Sequence, residues 1–467
     1  MKQGAKKTTR RWVINNAKHL TWAVGVLLLL MTGCKKEDIT GGVQPVSVSV
    51  EVHMDATHTA LALSTADVNV KISNNTTGQS YTAVTDDKGV AAFNSVSPGS
   101  YVLSASKLMR AADYEALTGI PTNADVAFNA SMDVHLTSSG LQQLTLEAGR
   151  IGDLVFKQIY YAGSDTKNGA MFRDQFIEIY NNSNQTIYAD SLYVASTHAN
   201  QATVARGAVS FDWSTSIGMD AGGKDASKDF VYMENLFMIP GSGKQHPIEP
   251  GKSIVIAATG LNHKAPFLDN SDGGGKEVVV LDPSLTVDLS QADFEVYLQD
   301  YLRDQGAPGA DFTPFKTDID NPNVPNMTVI RGTGKEWVMD ATGREDFLIF
   351  RTPEPISSFP SFPDPDTKEV TIQTQKYIQI PASLVIDAVE IMTPTTDKRT
   401  PKRLPSSLDG GPTFVTSGQY SSESLIRKTL KTVDGRIILQ DTNHSSDDFT
   451  TKKMADPSKS PASFTTN

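Results

Sequence analysis

Cysteine is almost absent: Cys34 is the only one in 467 residues. A lone thiol excludes an intramolecular disulfide and a multi-thiolate metal site, so the fold must rest on its packed core. Long apolar runs are missing as well. The longest, Trp22-Ala-Val-Gly-Val-Leu-Leu-Leu-Leu-Met31, is about ten residues, and a helix needs roughly twenty to cross a bilayer. Positive charge is scarce. Six of the 42 Lys+Arg precede residue 34 and no acid does, so the chain from Cys34 onward carries 36 of them against 53 Asp+Glu, a formal charge of −17. Such a surface repels nucleic acid and anionic lipid. Catalytic and metal signatures are lacking too: there is no Gly-x-Ser-x-Gly elbow and no His-Glu-x-x-His, and the histidines beyond the leader (His53, His58, His135, His198, His246, His263, His444) never fall at i, i+3 or i, i+4 spacing. No cofactor, catalytic set or metal site is expected, and the chain reads as a binding protein rather than an enzyme.

What is present at the front is a secretory leader. Lys2, Lys6, Lys7, Arg10, Arg11 and Lys18 precede the apolar stretch, the order of a signal peptide. Met31-Thr32-Gly33-Cys34 follows and resembles the lipobox of bacterial lipoproteins, which implies a signal peptide over 1–33 and a diacylated Cys34 as first mature residue. One acyl chain holds a protein only reversibly, whereas two or three anchor it durably. Lys36-Glu37-Asp38 is similar to the export signal that sends Bacteroidota lipoproteins to the outer face of the outer membrane. Residues 34–45 are polar and glycine-bearing, a flexible tether.

From Val46 the chain reads as strands. Val46-Ser-Val-Ser-Val-Glu-Val-His-Met54 alternates apolar and polar at period two. A second strand is expected at 66–72. Asp86-Asp87-Lys88-Gly89 supplies turn chemistry, with the aspartates read as turn residues rather than calcium ligands, and Pro98-Gly99 is expected to form a second turn with Gly99 at positive φ. Thr85-Asp-Asp-Lys-Gly with Phe93 and the run Val96-Ser-Pro-Gly-Ser-Tyr-Val-Leu103 resembles the carboxypeptidase-regulatory-like (prealbumin-like) β-sandwich. That resemblance covers about 46–147 and implies a stalk or spacer.

A second region, 152–467, opens with strands at 153–161 and 175–183, in which Ile177 and Ile179 share one face. Phe176-Ile-Glu-Ile-Tyr-Asn-Asn-Ser183, Pro250-Gly-Lys-Ser-Ile-Val-Ile256 and the closing Asp441-Thr-Asn, Asp447-Asp-Phe449 resemble a lamin-tail-like immunoglobulin sandwich. The whole layout is similar to an uncharacterised family of Bacteroidota lipoproteins, often encoded beside TonB-dependent receptors. The expected fold is therefore all-β, two β-sandwiches with the second enlarged by insertions at about 198–247 and 295–375, where specific function would sit.

Three local features have competing readings. Glu249-Pro-Gly-Lys-Ser253 lacks the glycine five places before Gly251 and precedes its strand, so it is a β-turn, not a phosphate loop. His444 among Asp441, Asp447 and Asp448 is the densest polar cluster; the Asp441-Thr-Asn turn explains it without metal, and a calcium or metal site is the competing reading. Phe211-Asp-Trp213 and Phe230-Val-Tyr-Met-Glu-Asn-Leu-Phe-Met238 concentrate aromatics and methionines, as core or as a binding platform. The functional expectation is an outer-membrane surface lipoprotein that binds a ligand or a TonB-dependent receptor, with an adhesin as the alternative and a hydrolase a distant third.

Overall fold

The computed structural model describes residues 44–74, 77, 79–120, 125–150, 152–306, 313–433 and 435–465. The expected signal peptide, Cys34 and Lys36-Glu37-Asp38 lie outside these residues. Strands dominate throughout, so the fold is all-β. Among the described residues no helix is long and apolar enough to cross a membrane.

The first module contains β1 (Val46–Met54), β2 (Asn69–Asn74), β3 (Ser80–Val84), β4 (Val90–Val96), β5 (Gly99–Met109), β6 (Val126–Leu136) and β7 (Gly140–Arg150), joined in the order β3-β2-β5-β6-β7-β1-β4. Period-two alternation buries Val46, Val48, Val50, Val52 and Met54 of β1 against Ile72, Phe93, Leu103 and Phe128. β7 links the two halves of this sheet. Its residues 140–146 pair in parallel with β1, while Val126–Asn129 of β6 pair with 147–150. Beyond Asn129, β6 and β7 part.

Two expectations here need correction. The second strand begins at Asn69 rather than Ala66, because Asp67 takes a positive φ of 58° and breaks the extended run. Gly99 does not sit at positive φ but opens β5. Its lack of a side chain is explained by packing, since a Cβ there would come within 3.0 Å of the Asn74 amide nitrogen.

In the larger module two sheets pack face to face. One runs Ser361–Phe362, Tyr377–Pro381, Phe230–Met238, Tyr193–Thr197, Glu345–Phe350, Val385–Ile391, with Thr328–Arg331 also on Phe230–Met238. The other runs Phe294–Glu295, Ser253–Ala257, Phe176–Asn181, Leu154–Tyr160, Ser424–Arg427, Phe449–Lys452. Phe156, Ile177, Ile179 and Ile256 of the second sheet meet Val194, Phe237, Phe347 and Ile349 of the first in one core. The outer faces are covered too. Leu404 and Leu408 pack on one, Val287 and Leu289 on the other. Most of these strands are therefore buried on both sides and show little polar alternation.

The stretches read as insertions are thus partly integral. Phe230–Met238 and Glu345–Phe350 are central strands, each flanked on both sides. Buried on both faces over most of their length, they carry no period-two signal that would mark them as sheet.

Candidate functional site

Between the modules lies a cleft of about 470 Å³. One wall comes from the first module. Ala130, Ser131, Met132 and Asp133 of β6 line it consecutively, as do Gln143, Leu144 and Thr145 of β7. A strand presenting its face would contribute every second residue, so these strands meet the cleft along their edges.

The opposite wall is aromatic. Asp212 caps a short 3₁₀ turn, Trp213–Thr215, by accepting from the Ser214 N–H at 3.0 Å, which fixes Trp213 inward. The Trp213 indole stacks on Tyr232 with 3.5 Å between centroids and 7° between planes. His198 stacks on Tyr377 at 3.7 Å and lies 5.8 Å from Phe211. Its Nδ1 is 2.6 Å from Glu234 and its Nε2 is 3.4 Å from Asp364, so one ring ties residues 197–234 to the 361–377 segment. Burial pushes the Tyr232 hydroxyl up to about 12, against a hydrogen bond from Gln379 that lowers it. Trp213 and Tyr232 are buried, whereas Phe211 and Phe230 remain partly open to the cleft. The aromatic run is thus core over most of its length and platform only at those two rings.

The floor is the segment around Arg399–Pro405. Four cations border the cleft and each is engaged. Lys228 Nζ sits 3.2 Å from Glu147, across the cleft mouth. Arg399 donates to the Thr393 carbonyl at 3.1 Å and lies over Phe414; Lys402 donates to the Asp409 carbonyl; Arg403 turns inward, donating to the Arg344 carbonyl at 2.6 Å. The cleft therefore offers edges, hydroxyls and ring faces rather than free charge.

Elsewhere the sequence candidates resolve into structural roles. Asp86 accepts from the N–H groups of Lys88 and Val90, which hold its carboxyl below the usual range. Glu249–Ser253 is a turn with Gly251 at φ 74° leading into Ser253–Ala257. Around His444, the carboxylates of Asp441 and Asp448 face the buried Arg427 guanidinium, which also bonds Asp387 at 2.5 Å. Asp448 further accepts from the Thr442 N–H at 2.9 Å. The His444 ring lies across Gly410 and Gly411, and burial pushes its imidazole down. Among the described residues no group of three or more His, Cys, Asp or Glu side chains is placed to hold a metal.

Residues 249–456 match the family described as Protein of unknown function (DUF4876). That stretch runs from the Glu249 turn to just past Phe449–Lys452, and so includes the floor of the cleft but not its β6 and β7 wall. Among solved structures, a DUF4876 family protein from Bacteroides thetaiotaomicron VPI-5482 is 23% identical, with 87% of this chain and 95% of that chain covered and a TM-score of 0.47. A DUF3823 family protein from Parabacteroides merdae ATCC 43184 is 10% identical over 33% of this chain and 67% of that one, TM-score 0.15. A candidate adhesin from Bacteroides ovatus is 10% identical over 33% and 56%, TM-score 0.15. No curated protein matches.

The sequence did not single out Gln143, Thr145, Lys228 or Arg399. The alternation of exposed Gln143 and Thr145 with buried Leu144 and Leu146 was a usable signal for the first wall; for Lys228 and Arg399 no local signal exists, because only the fold brings them together.

Proposed function

We propose that this chain is a lipid-anchored protein of the outer-membrane surface that binds through the cleft between its two modules, in the service of a TonB-dependent receptor. The observation that carries this reading is the cleft itself. Its volume falls in the range of ligand sites, and it combines ring faces with a few convergent polar groups. Anchoring rests on the sequence alone, through Cys34 and Lys36-Glu37-Asp38.

A detergent pull-down of the tagged chain from native outer membranes, with protease shaving of whole cells and a Cys34→Ala control, tests it. The expected result is a shaved protein that brings down a transport barrel, with the control released from the membrane. A shaved protein that comes down alone turns the reading to an adhesin. Protection from protease on intact cells removes the surface assignment altogether.

A further inference from the structure

The floor of the cleft is fixed to the sheet beneath it by buried charge. Asp346 and Glu390 stand directly opposite each other in the antiparallel pair Glu345–Phe350 and Val385–Ile391, so both side chains project from one face. Neither has any exposed surface. Glu390 holds the floor, its Oε1 accepting from the Arg403 N–H at 2.6 Å and its Oε2 from the Leu404 N–H at 3.4 Å. Asp346 uses Oδ1 on Thr197, accepting from the hydroxyl at 2.8 Å and the N–H at 3.2 Å. Its Oδ2 has no hydrogen-bond partner among the described residues. Thr197, Arg403 and Leu404 all border the cleft.

The charges that meet here do not balance. The Arg403 side chain, itself buried, lies 4.0 Å from Glu390. Its Nη2 donates to the Arg344 carbonyl at 2.6 Å and the Thr400 hydroxyl at 2.8 Å, while Nε and Nη1 make no hydrogen bond among the described residues. Asp409 accepts from the Glu390 N–H at 2.7 Å, and Lys402 donates to the Asp409 carbonyl. Glu345, next in the strand, alternates to the other face, where it accepts from the Asp340 N–H at 2.8 Å. Asp346, Glu390 and Asp409 therefore set three negative charges against the two positive ones of Arg403 and Lys402. Burial raises the Asp346 carboxyl to about 6 against the pull of Arg403. It raises the Glu390 carboxyl to about 7 against Lys402 and Arg403, with Asp409 adding to the rise.

Resting on the reading of the cleft as the binding site, we propose that its floor is a proton-operated latch, in which a proton shared by Asp346 and Glu390 keeps residues 399–405 on the sheet. Loss of that proton leaves one buried negative charge in excess, which is relieved when the segment lifts and water reaches the carboxylates. The closed floor thus holds the proton more tightly than the open one. Its stability is full below about pH 4, falls as pH climbs to about 7 and stays lower above. Acid closes the cleft, and neutral medium loosens it.

Amide hydrogen exchange of the full chain at pH 5 and pH 8, corrected for the intrinsic rate at each, tests this with Asp346→Asn and Glu390→Gln beside the parent. Circular dichroism checks that each variant is folded, and should one fail to fold the other decides. In the parent, protection across 399–405 is expected to fall about tenfold or more between the two pH values, while that of β1 stays within a fewfold. Either variant removes the excess charge without changing side-chain shape, and is expected to hold the fall at 399–405 within a fewfold. A parent profile flat with pH overturns the latch, and so does a fall that persists in a folded variant. An equal fall in β1 overturns it in favour of global loosening. No occupant is needed for this measurement, so a flat profile removes this inference alone. A failed pull-down beside a falling profile removes the functional reading and leaves the latch in the fold.

Discussion

Asp174 shows at the residue scale how this fold tolerates buried charge. It is fully buried, its Oδ2 accepting from the hydroxyls of Tyr160 at 3.0 Å and Thr286 at 2.7 Å. Burial disfavours its anion and raises the pKa to about 6, against hydrogen bonds that lower it. The folded state thus holds the proton more tightly than the unfolded chain, so stability falls as pH climbs from about 4 to about 6 and stays lower above. Asp174→Asn, neutral throughout, is expected to exceed the parent by about 1–3 kcal/mol at pH 8 and to lose that advantage at pH 4, in urea unfolding at both values. An equal difference at the two pH values would show that ionisation of Asp174 is not the cause. None of this burial is legible locally, since Asp174 sits between Arg173 and Gln175 in a stretch that reads as loop.

At the scale of elements, Leu154–Tyr160 and Phe176–Asn181 are held by an ion pair with no exposure at all. Lys157 Nζ lies 2.9 Å from Glu178 Oε1, donates to Ser463 Oγ at 2.6 Å and is capped by the Phe464 ring at 3.8 Å. A register shift between Phe156 and Gln158 lets Lys157 and Gln158 both reach Glu178. Removing one partner leaves the other charge buried and unpaired, whereas replacing both removes two desolvation costs together. Lys157→Met and Glu178→Leu are each expected to cost about 3–5 kcal/mol, and the double variant far less than their sum. A double-mutant cycle by chemical denaturation measures this; additive losses would mean the two side chains act independently. Glu178 and Asn181 belong to the Phe-x-Glu-Ile-Tyr-Asn run that the sequence singles out. Their roles are now physical: Glu178 closes the ion pair, and Asn181 donates to the carbonyls of Gln185 and Ile248 at 2.7 Å each. The alternating strand β1 was readable from sequence because one of its faces is wet. Phe230–Met238 and Glu345–Phe350 were not, because burial on both faces erases alternation.

For the molecule as a whole, the all-β class was legible in turn residues and period-two runs, but the union of its sheets was not. From Val46 onward the chain forms one compact unit. Asn129 of β6 donates to the Thr442 carbonyl at 3.2 Å, and the Gly152 N–H reaches Asp441 at 3.3 Å. Gly410 and Gly411 are glycine because a Cβ at either would meet the His444 ring at 2.6–2.7 Å. The Asn129 and Gly152 contacts span hundreds of residues in sequence, and a cleft formed across them has no motif. Calorimetry of the full chain is expected to give a single unfolding transition, and Asn129→Leu to separate it into two. Two transitions in the parent would show that the modules unfold independently. The candidate site was correspondingly half visible: its aromatic wall stood out, and its strand-edge wall and floor did not.

β1 follows directly on the segment that leaves the described unit, and it lies between β7 and β4 rather than at a border. A pull delivered through the chain ahead of Val46 therefore acts along the length of an interior strand. Its ladders to β7 and β4 would be loaded in shear, all rungs resisting at once, instead of being peeled one at a time. Under the anchoring and binding proposed above, drag on the cleft's occupant would load this interior strand rather than a border one.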